Sequence, residues 1–346
     1  MHRKTFYIPV ILAAALFCFV LAGAAQAKKP AYLWKAGTLA PKGVGWAKQV
    51  EEVLIPTIDR VTDKDLAIKV YWGGIMGDDE DYIKKMRIGQ LQVGGLTAQG
   101  AVMISPEWYV TEIPFLFNGY DEVDYVKPKM FDTFDRDMQK KGFKLIIWID
   151  QDFDQTYSVK RSLEKPEDFR GVRFVTWYGE LEQNVLERLG AITIPINVPE
   201  VSASIRAGIA DANLAPAIWM VGSQMYSISR FVNTMNLRYA PALICVTMDA
   251  WKEIPEAYRK KIELEREDLT KRFVAGTRRD NAKCLDAMIG YGMKKANVTP
   301  ENLERFKKML APVGPEMAGK LYTKAIYDEL LSNLAEYRSQ KGASKQ

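Results

Sequence analysis

Apolar and polar positions alternate most clearly between Lys165 and Pro216 of this 346-residue chain. A short apolar strand ending at Val175 leads into a helical pattern over residues 179–189. A second apolar strand, a second helix closed by Gly208 and a third strand follow before Pro216. This order predicts an α/β unit with a mostly parallel sheet. Such sheets bind ligands at the carboxyl ends of their strands.

The same patterns predict further strands and helices on both sides of this unit. Strands are predicted over residues 32–37, 66–71, 92–97, 144–150, 231–237 and 243–248. Helices are predicted over residues 43–61, 79–88, 125–141 and 256–293, with Gly276 as the weak point of the last one. That helix would be about 55 Å long, which is longer than one domain is wide. Because no flexible linker separates two domains, we expect this helix to brace both of them.

The amino terminus has the pattern of a secretory signal peptide. Residues 2–4 read His-Arg-Lys, residues 6–24 are almost wholly apolar, and residues 25–27 read Ala-Gln-Ala. We expect cleavage after residue 27 and a mature protein in the periplasm that begins at Lys28. The apolar run is long enough to approach a membrane span, so an uncleaved anchor is the alternative.

Composition excludes several kinds of chemistry. The one histidine, His2, lies in the signal segment, which excludes histidine-based triads, histidine general bases and the usual histidine zinc sites. Cys245 and Cys284 lack metal-ligand spacing and form either one disulfide or two buried thiols. Lysine and arginine number 48 against 43 acidic residues, and the two kinds are interspersed. No nucleic-acid partner is therefore expected.

Further short motifs occur in order along the chain. They are residues 38–41 (Thr-Leu-Ala-Pro), 73–80 (Gly-Gly-Ile-Met-Gly-Asp-Asp-Glu), 88–92 (Ile-Gly-Gln-Leu-Gln), 113–117 (Ile-Pro-Phe-Leu-Phe) and 246–255, which ends in Trp-Lys-Glu-Ile-Pro. Together with the segment from Lys165 to Pro216, these motifs resemble the DctP-type solute receptors of TRAP transporters, which bind small organic acids in the periplasm. The resemblance implies a two-lobed α/β fold with mixed, mostly parallel sheets that closes around a cleft.

The resemblance also implies a division of the chain. Residues 28–150 and about 240–270 would form lobe I, and residues 151–239 would form lobe II. The helix over about 256–293 would span both lobes, and residues 294–346 would form C-terminal helices that pack on them.

Residues near the expected cleft, all polar or aromatic except one valine, are the candidate ligand contacts. They are Trp46, Asp79, Gln99, Asp152, Phe153, Asp154, Arg173, Val175, Trp177, Asn213, Trp219 and Tyr239. Val175 stands where most of these receptors carry an arginine that binds the solute carboxylate in a bidentate pair. Arg173, on the same strand face, either replaces that cation or is an ordinary exposed residue. The sequence thus resembles a divergent branch of the family.

Other anion-holding positions have changed as well. Asp154 stands where the family often has a second arginine, with Asp152 before it; Asn213 keeps an amide, whereas Ala215 has lost one. The two acids either belong to a solvated hinge or favour a cation, which would be a positively charged solute or a metal ion that carries an anionic one. Aromatic residues such as Trp177 suit an apolar, aromatic or quaternary-amine ligand, although a packed interlobe core would use them equally.

We predict a periplasmic receptor that captures a small organic acid, or an aromatic or apolar solute, by cleft closure and delivers it to a TRAP-type membrane permease. It is expected to act as a monomer without catalysis or a cofactor. One alternative is a sensing receptor that presents its liganded form to a signalling protein. The other is an exported enzyme that uses Asp152, Asp154, Glu80 or a lysine, against which stands the absence of any nucleophile motif.

Overall fold

The computed structural model describes residues 29–343 except Val44 and Tyr178. The predicted signal peptide, residues 1–27, lies outside the described residues. Within the described part of the chain, no helix is both long and apolar enough to cross a bilayer.

One mixed sheet of nine strands runs through the described residues. In chain order the strands are β1 (Tyr32–Thr38), β2 (Leu66–Tyr71), β3 (Val93–Leu96), β4 (Phe143–Ser158), β5 (Arg173–Thr176), β6 (Ile192–Pro195), β7 (Ala212–Ala215), β8 (Phe231–Thr247) and β9 (Lys294–Lys295). Across the sheet the order is β2-β1-β3-β8-β4-β7-β5-β6, and β9 pairs with β8. Strands β2-β1-β3 are parallel in the first lobe, and β7-β5-β6 are parallel in the second lobe. The antiparallel pair β4 and β8 joins the lobes.

Helices connect the strands and pack on the sheet. They are α1 (Trp46–Gln49), α2 (Ile55–Val61), α3 (Asp79–Arg87), α4 (Ala98–Ile104), α5 (Tyr120–Lys140), α6 (Glu180–Arg188), α7 (Val201–Arg206), α8 (Ala217–Gly222), α9 (Met248–Glu253), α10 (Glu256–Gly290), α11 (Pro300–Leu310), α12 (Val313–Met317) and α13 (Lys324–Ala343). A π-helical turn, Val50–Leu54, joins α1 to α2. The alternation of strands and helices predicted from the apolar pattern is confirmed.

Strands β4 and β8 are longer than their sequence patterns predicted. The expected strand ending at Asp150 continues to Ser158, and the two strands expected within residues 231–248 are one. All 16 residues of β4 are buried, including its acidic residues. Strands β4 and β8 stay paired past Asp150. The register shifts between Asp150 and Asp152, and again between Asp154 and Thr156, accommodate at each place a residue of β4 that has no partner in β8.

Helix α10 spans both lobes, as predicted. At its amino-terminal half, Leu269 and Phe273 pack in the apolar cluster of β1, β2 and α2. Near its end, Met288 packs in a second cluster with Val175 of β5. At about 1.5 Å per residue, its 35 residues extend about 52 Å. The residue boundaries predicted for the lobes stay a prediction.

Gly276 does not interrupt this helix. A Cβ at Gly276 would lie 2.1 Å from the side-chain oxygen of Gln49, which is 3% exposed. The glycine therefore permits a close approach of α10 to α1, and the helical hydrogen bonds continue through it.

The C-terminal helices pack on earlier elements. Phe306 of α11 meets Phe169 edge-on, with ring centroids 5.5 Å apart. Tyr337 of α13 meets Tyr125 of α5, with centroids 4.9 Å apart. The two cysteines, Cys245 and Cys284, are free thiols.

We expect Gly276→Val to destabilise the protein by about 1–3 kcal/mol, because the added methyl groups meet Gln49 in a packed helix contact. Urea unfolding followed by circular dichroism measures this loss. The matched control is Gly290→Ala, at the end of the same helix, where a Cβ has no heavy atom within 4 Å. Equal free energies of unfolding for both variants would contradict the close-approach explanation.

Candidate functional site

A cleft opens where the two lobes meet, next to the carboxyl ends of β1, β3 and β7. Its walls are largely apolar, and its empty space is about 450 Å³, including open volume at the mouth. The lining residues are Leu39, Ala40, Pro41, Trp46, Thr97, Gln151, Pro216, Ile218 and Trp219. Strand ends of this kind are the usual ligand position in open α/β sheets.

Two predicted ligand residues, Trp46 and Trp219, face this cleft from opposite lobes. The indole Nε1 of Trp46 donates to the carbonyl oxygen of Asp150 over 3.1 Å. The ring of Trp219 packs edge-on against Trp177, with centroids 4.7 Å apart. Three of the predicted aromatic contacts are therefore together at one site.

Helix α10 holds the walls of the cleft in position. Asn281 accepts the amide of Ile218 at 3.0 Å and donates to the carbonyl oxygen of Gln151 at 3.0 Å. The side-chain oxygen of Gln151 in turn accepts the amide of Ala98 at 3.1 Å. These bonds connect α10 to the second lobe, to β4 and to the first lobe.

A buried charged group lies on β4 and β8, beside the region where the lobes meet. Arg238 pairs with Asp154 across the two strands, and its guanidinium donates to Asp154 Oδ2 over 2.7 Å. The same guanidinium forms an ion pair with Glu112. Each of these side chains is at most 2% exposed. Two carboxylates thus share one guanidinium in the interior.

Burial governs the electrostatics of this group. It raises the pKa of Glu112 to about 8; Arg238 acts in the opposite direction, whereas Asp154 and Glu182 add to the rise. Burial likewise raises the pKa of Asp154, again against the effect of Arg238. A raised carboxyl pKa means that the surroundings do not fully compensate the negative charge.

Asp152 is buried beside this group but has its own partners. Its Oδ1 accepts the hydroxyl of Tyr120 and the amide of Phe153, the latter at 2.7 Å. Burial raises the pKa of Asp152 to about 7. Asp152 is 8% exposed and Asp154 is fully buried, so the alternative in which these acids belong to a solvated hinge is wrong.

Phe153 and Tyr239, two further candidates, pack inside the molecule. Their rings meet edge-on with centroids 5.7 Å apart. The Tyr239 hydroxyl donates to Asp150 Oδ1 at 2.5 Å, and Asp150 also pairs with Lys127 and Arg278. In this network Tyr239 orients the crossing strands, so its role as a direct ligand contact stays a prediction.

Asp79 and Gln99 lie in the first turns of two helices of the first lobe, α3 and α4. Asp79 Oδ2 accepts the amides of Thr97 at 3.2 Å and Gly100 at 3.1 Å, which fixes the start of α4. Burial raises the pKa of Asp79 to about 7. The side-chain oxygen of Gln99 lies 3.2 Å from the position that a Cβ on Gly179 would occupy. Gln99 therefore reaches the second lobe, whereas Asp79 supports the loop that carries it.

Arg173 and Val175 lie along β5 but in different surroundings. Arg173 forms a bidentate pair with Asp211, at 2.8 and 2.9 Å, and its side chain is 35% exposed. Arg173, and next Lys160, lower the pKa of Asp211 to about 2, although its partial burial opposes them. Val175 is 1% exposed and packs in the apolar cluster. The pair with Asp211 supports the reading of Arg173 as a surface residue.

Several buried oxygens near the lobe junction have no hydrogen-bond partner. Asn213 donates to the sulfur of Met220 at 3.5 Å, but its side-chain oxygen accepts nothing. Other oxygens in this condition are Gln99 Oε1, Glu112 Oε1, Asp154 Oδ1 and the hydroxyl of Tyr157. Buried polar atoms are normally bonded, so a group of unsatisfied ones indicates a place for a ligand.

Sequence reasoning missed Glu112, Arg238 and Glu182. Arg238 is a basic residue within the mostly apolar segment that forms β8, which indicates that it needs an acidic partner. Its partners come from distant segments of the chain. Among residues 29–343, as far as they are described, no three His, Cys, Asp or Glu side chains form a group that could hold a metal ion.

Comparison with known proteins supports one family. The model described as bacterial extracellular solute-binding protein, family 7 (DctP), matches residues 37–320. A solute-binding protein from Chromohalobacter salexigens is 22% identical over 284 residues, which cover 80% of this chain and 84% of that protein.

Solved structures share the fold. The sugar acid binding protein of Advenella mimigardefordensis, in complex with galactonate, superposes with a TM-score of 0.83 at 18% identity and covers 89% of this chain and 99% of its own. A TRAP periplasmic solute-binding protein of Sulfurospirillum deleyianum with bound succinate gives a TM-score of 0.80 at 16% identity, covering 88% and 99%. The fold is thus that of TRAP periplasmic binding proteins. Because the family model matches most of the chain, this protein belongs to the DctP family of bacterial extracellular solute-binding proteins.

Proposed function

We propose that this protein captures a small organic solute between its lobes in the periplasm and delivers it to a TRAP-type membrane permease. The observation that carries this proposal is the cleft itself, where Trp46 of the first lobe and Trp219 of the second face one space at the strand ends. The related structures hold galactonate and succinate, which supports an organic acid as the solute class. Export would follow from the amino-terminal signal pattern.

Contacts between the lobes give closure a physical basis. The amide of Glu180 donates to the hydroxyl of Tyr109 over 3.2 Å. Pro41 Cγ lies only 2.8 Å from the position of a Cβ on Gly222. These contacts join the lobes on both sides of the cleft. A solute that bridges the lobes would favour this closed form over an open one, and the closed surface is what a permease would recognise.

The candidate residues divide by position. We propose that the direct ligand residues are Trp46, Gln99, Asp154, Trp177, Asn213 and Trp219, because they lie at the cleft or carry unsatisfied buried atoms. Asp79, Asp152, Phe153 and Tyr239 would position them. Position 175 is a valine that packs in the apolar core, so it offers no cation to the acid group of a solute.

A thermal-shift screen tests the proposed function. Succinate, galactonate, glucuronate and a broader set of small metabolites are added to the purified protein, and we expect at least one to raise its melting temperature by mass action on the folded state. Small-angle scattering of that complex should show a more compact particle. Conversion of the bound compound into a product, or binding with no change in shape, would contradict a receptor that works by closure.

We expect Gly222→Ala to weaken binding of the solute found in that screen by about tenfold, or about 1.4 kcal/mol. The added Cβ meets Pro41, so the lobes cannot approach fully, whereas the free protein should unfold at nearly the same temperature. Titration calorimetry measures the affinity. Gly119→Ala, where a Cβ has no heavy atom within 4 Å, is the matched control and should bind normally. Unchanged affinity in Gly222→Ala would show that this contact plays no part in closure.

We expect Arg173→Ala to leave solute affinity within about twofold of the wild type, the range of most surface substitutions. Its measurable effect should be on Asp211, because loss of Arg173 removes the main cause of that carboxyl's low pKa. The pair contributes stability above the unfolded pKa of about 4, which is lost as pH falls towards 2. Stability between pH 2 and 5 should therefore vary less in the variant. A large loss of affinity would instead identify Arg173 as a ligand residue.

A further inference from the structure

The buried charges at the lobe junction are unbalanced. We call Glu112, Asp154 and Arg238 the acidic cluster; each of its members is at most 2% exposed. Among the described residues, Arg238 is the basic side chain that pairs with Glu112 and with Asp154. Glu182 accepts the amide of Trp177 at 3.0 Å and lies close enough to raise the pKa of Glu112. Glu112 and Asp154 therefore share one guanidinium, so this group lacks one positive charge when both carboxyls are ionised, and an uncompensated buried charge is costly.

The unsatisfied atoms of this region include four acceptor oxygens besides the Tyr157 hydroxyl. Glu112 Oε1 and Asp154 Oδ1 are buried without a hydrogen-bond partner, and the side-chain oxygens of Gln99 and Asn213 are in the same condition. All four are acceptors, and none can donate while the carboxyls are ionised. A ligand that satisfies them must therefore offer several donors.

On the first-lobe side, Glu112 and Gln99 are connected through Tyr109. The charge of Glu112 contributes to the raised pKa of Tyr109, after burial. A Cβ on Gly179 would touch the Tyr109 hydroxyl and lie 3.2 Å from Gln99 Oε1. Gln99 and Glu112 thus approach the second lobe at the same place.

On the second-lobe side, Asp154 and Asn213 are connected through Tyr157. The Tyr157 hydroxyl is fully buried and has no partner. Burial, and next the charges of Asp152 and Asp154, raise the pKa of this hydroxyl. Tyr157 pairs directly with Asn213 across β4 and β7, which places the two side chains on one face of the sheet. The unsatisfied acceptors therefore belong to one interlobe region.

We propose that the solute of this receptor carries a protonated nitrogen, an ammonium or guanidinium group, which binds between Asp154 and Glu112 when the lobes close. This inference rests on the proposed function and narrows its solute class to amino acids, guanidino acids or small amines. The positive group balances the charge of the acidic cluster, and its N–H donors satisfy the two free carboxylate oxygens. Gln99 and Asn213 supply neutral acceptors from opposite lobes, which makes recognition depend on closure.

The experiment compares matched probes on the wild type and on charge-removing variants. The probes are amino and guanidino compounds, such as 4-aminobutyrate and 4-guanidinobutyrate, each paired with an analogue in which hydroxyl or hydrogen replaces the nitrogen, such as 4-hydroxybutyrate. Thermal shift and calorimetry with a chelator present measure binding. We expect affinity for nitrogen-bearing members only. Asp154→Asn and Glu112→Gln, which keep side-chain size, should each weaken it at least tenfold, or about 1.4 kcal/mol.

The free protein gives a second readout that a merely structural role would not produce. Asp154→Asn leaves Glu112 and Arg238 as a neutral pair, so the variant without ligand should melt no lower than the wild type. A structural ion pair would instead lose stability on the same change. Asp135→Asn is the control, because Asp135 is equally buried but pairs with Lys144 at 2.7 Å, away from the cleft. It should lower the melting temperature and leave probe binding unchanged.

Several outcomes would overturn the inference. The inference fails if no nitrogen-bearing probe binds, if binding requires a divalent metal, or if both variants bind the probes as tightly as the wild type does. Tight closure on a nitrogen-free acid such as succinate would also overturn it, but would leave the proposed receptor function intact. Absence of closure with every compound would instead reject the receptor function itself.

Discussion

The pairing of β4 with β8 is the constraint on which the rest of the structure depends. These two antiparallel strands join the parallel strands of one lobe to those of the other, and every residue of β4 is buried. A strand that crosses between lobes in this way brings first-lobe and second-lobe side chains to its middle. The cleft and the charged residues behind it lie there because the crossing strands place them there.

Burial of acidic residues in β4 requires a separate partner for each one. Asp150 pairs with Lys127 and Arg278, Asp152 accepts the hydroxyl of Tyr120, and Asp154 pairs with Arg238. The first of these carboxylates is well compensated: although burial alone would raise its pKa, Lys127 and Arg278 lower it. The carboxylate of Asp154 is less well compensated, because it shares Arg238 with Glu112. Asp150 therefore has a structural role in the strand, whereas Asp154 is the residue for which we propose a ligand.

The chemistry of the site follows from this difference. A family position that usually carries arginine holds Val175, which packs in the apolar core, and Arg173 is engaged with Asp211 at the edge of the sheet. Arg238 is the cation that pairs with both Glu112 and Asp154, and these pairs are buried. The protein has the fold of TRAP periplasmic binding proteins, and we propose that the charge it offers a solute is negative.

The sequence by itself determined the alternating strands and helices, the long helix α10 and the family, because these depend on local periodicity and on short motifs read in order. Of the ligand contacts that it predicted, Trp46 and Trp219 line one cleft and Trp177 packs against Trp219, whereas their contact with a solute stays a prediction. It did not determine that β4 continues past Asp150, because three alternating acids disfavour a buried strand unless distant residues compensate their charges. The group of Glu112, Asp154 and Arg238 was decided by tertiary structure alone: its members lie far apart in the chain, and only the strand pairing brings them together.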